Sequence, residues 1–417
     1  MFNVLDKTTV ISILAASKAT GLADAQRIIS SIEMPEGNFP AYTIWRMLAK
    51  EPQNGTEEVV GLKAYIPFHD ALKYRGYKGN VNAMPNKMVW FAFSFNKNKS
   101  AEKYQQCVMD LDESFCPEPR HINLMIDVLS QPNTPGYGRG YYGWGEAGTG
   151  KTSTAHWLTA ILGQAIIQLN CKPNMEVEEM FVSHSAHDGK WSTVNGPILQ
   201  ALDNDWPLVI DEMDLAPSEF IPALNNMIEG RQFSVTFLDH MIKARNGFKV
   251  FGFGNTGGAG LEVGMYNGRS QLDASSLDRM YKDYYTPLDQ EKAELIVSSR
   301  GYDLDDLAKK ICTFVVKINQ SVREEHSLSE MISPRGLTAI MQSITINTGV
   351  VRNPVLYAIG TVMGSILEDK ESLEKVFAIY ALTVAESAKD VKEITDEWEH
   401  RYEILESEAN STEQKGA

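Results

Sequence analysis

No apolar run in this 417-residue chain approaches the roughly 18 residues that a membrane-crossing helix needs. The opening Met1-Phe2-Asn3-Val4-Leu5-Asp6 lacks the basic start of a secretory leader. Cysteine is scarce: four residues, at 107, 116, 171 and 312, with no paired metal spacing. They read as reduced thiols, not a disulfide framework, so a cytoplasmic chain without membrane contact is expected. There is no low-complexity tract and no internal repeat. His184-Ser185-Ala186-His187 has ligand-like spacing, but no Cys or second His pair accompanies it, and a polar loop is the expectation.

Charge is plentiful and uneven. The net charge is −15, yet residues 1–100 hold twelve Lys/Arg against eight Asp/Glu, which leaves the remainder at −19. Lys73-Tyr74-Arg75-Gly76-Tyr77-Lys78, with Lys87, Lys97 and Lys99, mixes cations and aromatics. That mixture suits single-stranded nucleic acid. It equally describes a solvated hairpin, which is preferred because an acidic chain repels phosphates at a distance.

The most informative stretch is Gly145-Glu146-Ala147-Gly148-Thr149-Gly150-Lys151-Thr152. It fits G-x-x-x-x-G-K-[ST], the phosphate loop, at every fixed position. Glycines let backbone N–H groups turn inward around phosphate oxygens. Lys151 is expected on the β- and γ-phosphates of ATP, and Thr152 on Mg²⁺, with Ser153 next in line. The context agrees: Arg139–Gly145 reads as a strand, and Ser153–Leu162 as a helix whose positive N-terminal end favours anions.

Two later strands end in chemistry-bearing residues. Trp206–Glu212 is apolar and closes on Asp211 and Glu212. Asp211 is expected in the Mg²⁺ shell and Glu212 on the attacking water, the two pointing apart because strand side chains alternate. Phe248–Thr256 is a second apolar strand, and its Asn255 reads either as a holder of the same water or as an ordinary turn residue after a strand.

This ordered set resembles an AAA+ ATPase of the MoxR branch, and within it the cobaltochelatase ATPase subunit, or CobS-like, group. The further residues that carry the resemblance are Gly254-Asn-Thr-Gly-Gly-Ala-Gly260, Tyr266-Asn-Gly268 and Leu277-Asp-Arg279. The resemblance covers residues 120 to 370. It implies that Arg279 is an arginine finger for a neighbouring subunit. It implies too that Arg335, in Ser333-Pro334-Arg335, senses nucleotide from the helical lid. Asn170, ending the strand Ala165–Asn170, takes the place of a polar residue that restrains Glu212. A closed ring, expected as a hexamer, and a partner with a von Willebrand A domain also follow from the resemblance.

The expected fold class is α/β: an AAA+ phosphate-loop core with a mainly parallel sheet, a C-terminal helical lid and a separate N-terminal α+β domain. Residues 1–115 form that domain, with a helix over Ile11–Ile32 and strands over Val59–Pro67 and Met88–Phe95. Residues 120–286 are the core, 287–390 the lid, with helices over Leu304–Glu325, Pro334–Thr348 and Pro354–Ser387. Residues 391–417 are an acidic helix and tail, Val391, Ile394, Trp398 and Leu405 recurring at helical spacing and 410–417 reading as disordered. Phe181–Gly196 reads as a pore-facing insertion or a surface loop, and Phe233–Lys249 as a hairpin. The expected function is Mg²⁺-dependent ATP hydrolysis that remodels a macromolecule. The alternatives are a nucleic-acid motor and a nucleotide-switched assembly protein.

Overall fold

The computed structural model describes residues 43–50, 57–187, 190–235, 238–258, 272, 274–325, 328–364, 367, 369–385, 391–401 and 403. The helix expected over Ile11–Ile32, the segment 259–271, Leu405 and the tail 410–417 lie outside them. So do the side chains of His184 and His187.

The N-terminal part is built on three antiparallel strands, β1 (Thr43–Lys50), β2 (Glu57–Pro67) and β3 (Met88–Phe95). Alternation in β2 buries Val60, Leu62, Ala64 and Ile66 completely, the period of two that a half-buried strand needs. Helix α1 (Phe68–Tyr74) follows β2, and α2 (Lys99–Gln106) follows β3, its first turn capped by Asn98 Oδ1 accepting from Ala101 N at 2.8 Å.

The chain then enters α3 (Pro119–Ser130) and a run of alternating elements. These are β4 (Gly140–Trp144), α4 (Lys151–Leu162), β5 (Ile167–Asn170), α5 (Val177–Phe181), β6 (Val182–His187), β7 (Lys190–Asn195) and α6 (Pro197–Asn204). They continue with β8 (Leu208–Asp211), α7 (Ile221–Ile228), β9 (Gln232–Phe233), β10 (Ile242–Lys243), β11 (Val250–Gly254), α8 (Ala274–Asp278) and β12 (Met280–Tyr284). Five strands form one sheet in the order β12-β4-β11-β8-β5, and every pairing is parallel. All five residues of β11 are buried, as expected when helices cover both faces. The two inserts are antiparallel hairpins, β6–β7 with Val182 opposite Asn195, and β9–β10 with Phe233 opposite Ile242.

The antiparallel sheet packs directly on this layered core. Met47, Val60, Ala92, Ala101 and Tyr104 share a buried cluster with Ala165 and Trp206. The Tyr104 and Trp206 rings meet edge to face at 5.4 Å, and Tyr77 meets Trp157 at 5.3 Å. Arg75 donates to the carbonyls of Ile161 (3.1 Å) and Ala92 (3.2 Å). Lys78 pairs with Glu113 at 2.8 Å and Lys87 with Asp127 at 2.6 Å. Arg75, Tyr77 and Lys87 are thus engaged in internal contacts, while Lys73, Tyr74, Lys78, Lys97 and Lys99 are exposed.

Two compact units result. The first takes in the described residues through Glu113, then Pro117–Glu146 and Gly150–Tyr285; the second takes in Ser114–Cys116, Ala147–Thr149 and Thr286 onward. The described N-terminal strands, expected to stand apart, share the first unit because Trp206 and Tyr104 tie the two sheets into one core.

The second unit is helical: α9 (Gln290–Ser299), α10 (Asp306–Gln320), α11 (Pro334–Asn347), α12 (Pro354–Val362), α13 (Lys370–Thr383) and α14 (Val391–Glu399). The first five start on side-chain caps, from Asp289, Asp305, Ser333, Asn353 and Asp369. The helix expected over Pro354–Ser387 is two helices, because Asp369 caps a new start by accepting from Ser372 N at 2.9 Å. Ile394 and Trp398 of α14 are buried, and Trp398 meets Phe377 at 5.6 Å, so α14 packs on this helical core.

Trp206→Ala removes the largest ring of the shared cluster. It is expected to lower stability by about 3–5 kcal/mol, read from the urea midpoint. A loss below about 1 kcal/mol would show that this ring does not hold the two sheets together.

Candidate nucleotide-binding site

The site assembles where parallel strands end. Trp144 closes β4 and pairs with Gly254 at the end of β11; Ile210 of β8 pairs with Gly252, and Asn170 of β5 pairs with Asp211. Parallel register therefore delivers the phosphate loop, the Asp211–Glu212 pair and Asn255 to one edge of the sheet, where ligands bind in open α/β folds.

Backbone geometry explains the loop's glycines. Gly145 has φ +149°, and a Cβ there would sit 2.4 Å from the Tyr285 carbonyl oxygen. Gly150, at φ +86° and ψ 13°, is the N-cap of α4 and supplies no capping side chain. The first N–H groups of α4 consequently face a position suited to an anion.

Lys151, although charged, is only 8% exposed. Its ammonium donates to the carbonyls of Gly145 and Glu146, both at 2.8 Å, and to Asn255 Oδ1 at 2.9 Å. The other end of the Asn255 amide, Nδ2, donates to Glu212 at 3.2 and 3.3 Å. An ammonium only donates and a carboxylate only accepts, so these neighbours fix which way the amide faces. Thr152 Oγ1 donates to Asp211 Oδ1 at 3.1 Å, and the same oxygen accepts from Glu212 N at 3.1 Å.

Glu212 is one of three non-glycine residues at positive φ among those described, with φ 52° and ψ 42°. Strand β8 stops at Asp211, so Glu212 does not diverge from Asp211 by strand alternation as the sequence suggested. A left-handed turn, costing about 1–2 kcal/mol for an L-residue, swings it toward Asn255.

The remaining expected residues are placed as follows. Asn170 is exposed, and its Oδ1 accepts from Gln168 Nε2 at 2.7 Å; the amide on Glu212 is that of Asn255. Ser153 lies in the first turn of α4. Arg279 sits between α8 and β12, with Nη1 donating to Ser275 O at 2.7 Å. Its Nε is 3.1 Å from Glu229 Oε1, although the N–H is not aligned for a hydrogen bond. Buried Glu229 also pairs with Arg231. Arg335 is exposed in the first turn of α11, in the second unit. Ala147, Gly148 and Thr149 complete the loop, with Gly148 at φ +78°.

Sequence reasoning passed over two residues here. Asp214 is fully buried two positions after Glu212, and Tyr142 is fully buried in β4. A third acidic residue in Asp211-Glu212-Met213-Asp214 is a signal that could have been followed. Cys171 lies close enough that its thiol is pushed up to about 12, by burial first and then by Asp211, Asp214 and Glu212. Burial also lowers the His156 imidazole, one turn beyond Thr152, with Asp211 opposing.

The residues present fit a magnesium–nucleotide. Thr152 and Asp211 offer hard oxygens at 3.1 Å from each other, beside an uncapped helix start. Two protein ligands suit Mg²⁺, which keeps waters and takes phosphate oxygens. No cluster of three or more His, Cys, Asp or Glu able to hold a metal occurs among the described residues, and no described helix is long and apolar enough to cross a membrane.

Comparison with known proteins bears on the core around this site. Residues 144–280 match the family profile of the AAA domain (dynein-related subfamily), which supports an AAA+ ATPase core and ATP binding. An uncharacterized protein of Staphylococcus aureus (strain NCTC 8325 / PS 47) is 24% identical over 243 residues, 56% of this chain and 86% of its own length. An uncharacterized protein of Staphylococcus epidermidis (strain ATCC 12228 / FDA PCI 1200) is 30% identical over 185 residues, 43% of this chain and 66% of its own. The crystal structure of a candidate ATPase from Cytophaga hutchinsonii ATCC 33406 aligns at 14% identity over 72% of this chain and 93% of its own, with a TM-score of 0.34.

The left-handed turn at Glu212 yields a stability test. Glu212→Gly and Glu212→Ala both remove the carboxylate, but only glycine relaxes the backbone. Glu212→Gly is expected to be about 1 kcal/mol more stable than Glu212→Ala by chemical denaturation. Equal stabilities would mean that this turn is not strained.

Proposed function

We propose that this chain is a Mg²⁺-dependent ATPase of the MoxR, CobS-like kind, working as a ring and converting hydrolysis into remodelling of another macromolecule. The observation that carries the proposal is the Asn255 amide held between Lys151 and Glu212, next to the Thr152–Asp211 pair. A cation, a carboxylate and a hydroxyl–carboxylate pair with different jobs converge within one loop-and-sheet edge.

On this reading the loop from Gly145 to Ser153 cradles the phosphates, and Lys151 turns its ammonium from the loop carbonyls to the β- and γ-phosphates. Thr152 and Asp211 hold Mg²⁺, which when bound neutralises phosphate charge. Glu212 orients and polarises the attacking water. Asn255 fixes the distance between that carboxylate and Lys151. Phosphoryl transfer needs chiefly this positioning and charge stabilisation.

Arg279 is proposed as the finger that reaches a neighbour's terminal phosphate. Its partial exposure, 26% for the side chain, and its resemblance to the family's Asp-Arg box support that role. Glu229 then holds it until a neighbour docks. Arg335 is proposed as the lid's nucleotide sensor and Asn170 as a polar neighbour of the water. Residues 120–286, with the described N-terminal strands packed on them, act as the core and 287–390 as the lid, with 391–417 an appendage of the lid. A von Willebrand A domain protein is the partner class the family likeness favours.

Separating binding from chemistry tests the site. Lys151→Ala is expected to lose measurable ATP affinity by calorimetry. Glu212→Gln should keep ATP bound and lose turnover by about 10²-fold or more, because an amide cannot polarise water as a carboxylate does. Wild-type affinity in the first variant, or wild-type turnover in the second, would remove the reading.

Assembly is tested by dilution. Turnover per chain should fall as the wild type is diluted below its association range. Arg279→Ala should bind ATP normally and lose about 10³-fold or more in turnover. Constant turnover per chain at dilutions where light scattering sees monomers would defeat the shared-site proposal.

A further inference from the structure

Asn255 bridges Lys151 and Glu212 through its side chain, but its side chain is only as well placed as the turn that bears it. That turn follows the last residue of β11 and has no strand partner to hold it. Its backbone donors go instead to Asp214. The carboxylate oxygen Oδ2 accepts from Asn255 N at 3.0 Å, from Thr256 N at 3.1 Å and from Thr256 Oγ1 at 3.2 Å. Asp214 and Thr256 are both 0% exposed, so water does not compete for these bonds. In the next peptide of the same turn, Tyr142 Oη donates to the Thr256 carbonyl at 2.7 Å. Tyr142 is itself buried and belongs to β4, the strand that feeds the phosphate loop. The packing leaves no slack: a Cβ on Gly254 would lie 2.3 Å from Tyr142 Oη and 3.0 Å from Asp214 Cγ.

We infer that Asp214 is a positioning residue that sets the Asn255 amide between Lys151 and Glu212, with Tyr142 bracing the same turn through the Thr256 carbonyl. The inference rests on the reading of Lys151, Glu212 and Asn255 as nucleotide-site residues. A buried carboxylate accepting three donors on one oxygen is an expensive way to hold a turn if only folding were served, since an apolar residue with a different turn would avoid burying a charge. Here the carboxylate couples two strand ends. Asp214 follows Glu212 by two residues, so moving the acidic turn moves Asn255 with it, and the Asn255-to-Glu212 distance stays fixed. Asp214 thus acts through Asn255.

The test uses the full chain in four forms: wild type, Asp214→Asn, Asn255→Ala and the double variant. ATP affinity is measured by calorimetry, and kcat is expressed per nucleotide-binding site, so that unfolded protein does not count. Asp214→Asn keeps an acceptor of the same shape but loses its charge. It is expected to lower kcat about 10- to 100-fold with ATP affinity unchanged within about twofold. Asp214→Ala, which removes the acceptor, should fall further. In the Asn255→Ala background, Asp214→Asn should cost less than about twofold more, because the group it positions is gone. A purely structural role would lower the thermal midpoint and leave kcat per site and this coupling unmoved.

The outcomes separate. Wild-type kcat in Asn255→Ala would sink the role given to Asn255, and the Asp214 inference with it. An impaired Asn255→Ala beside a fully active Asp214→Asn would overturn the Asp214 inference alone. An equal fall on both backgrounds would overturn it too, placing Asp214's effect elsewhere. If Asp214→Asn does not fold, Tyr142→Phe, which loses one hydroxyl, loosens the same turn. It should lower kcat several-fold at unchanged affinity, and a wild-type kcat there would overturn the inference.

Discussion

Parallel pairing of β4, β11 and β8 is the constraint on which the site depends. A parallel sheet points its strands one way, so all the strand ends meet at one edge. Trp144, Gly254 and Asp211 end their strands there, and each is followed at once by a functional turn. The phosphate loop, the Asn255 turn and the Glu212 turn need no further scaffold to meet. Full burial of β11 keeps that register from slipping, because a one-residue shift would exchange the side chains on its two faces.

Charge is then distributed so that Lys151, Asp211, Glu212 and Asp214 each have a hydrogen-bond partner at this edge. Lys151 and Glu212 are opposite in sign, and the Asn255 amide bonds to both. Loop carbonyls of Gly145 and Glu146 take the other ammonium protons, which a ligand's oxygens can replace one for one. The acidic side is equally satisfied: Asp211 accepts from Thr152 and from the Glu212 backbone, and Asp214 from Asn255 and Thr256. The cost appears in the backbone, where Glu212 occupies the left-handed region. Strain at such a position is typical of sites that trade stability for geometry.

The segment between β2 and β3 shows where some of the N-terminal cations and aromatic rings go. In the fold, Arg75 is drawn onto the carbonyls of Ile161 and Ala92, and Tyr77 onto Trp157. Lys78 and Lys87 find carboxylates on later segments, Glu113 and Asp127. Exposed pairs of that kind add little stability, but they do cancel local positive potential.

The sequence by itself determined the phosphate-loop pattern and the strand and helix that flank it. Gly145, Gly150 and Lys151 stand out because phosphate binding calls for particular residue types at fixed spacing. Caps such as Asp305, Asn353 and Asp369 act within one turn, yet the helix start at Lys370 is not legible in the spacing of residues 354–387. The tertiary structure alone decided which amide meets Glu212, since Asn170 and Asn255 both end apolar strands and look alike in the chain. It also decided that Glu212 leaves its strand by a left-handed turn, that Trp206 ties the two sheets together, and that Asp214 faces a turn forty residues downstream, about the span from Asp214 to Asn255. Those facts depend on contacts between segments far apart in the chain, and local propensity carries no information about which distant partner a buried polar group will find.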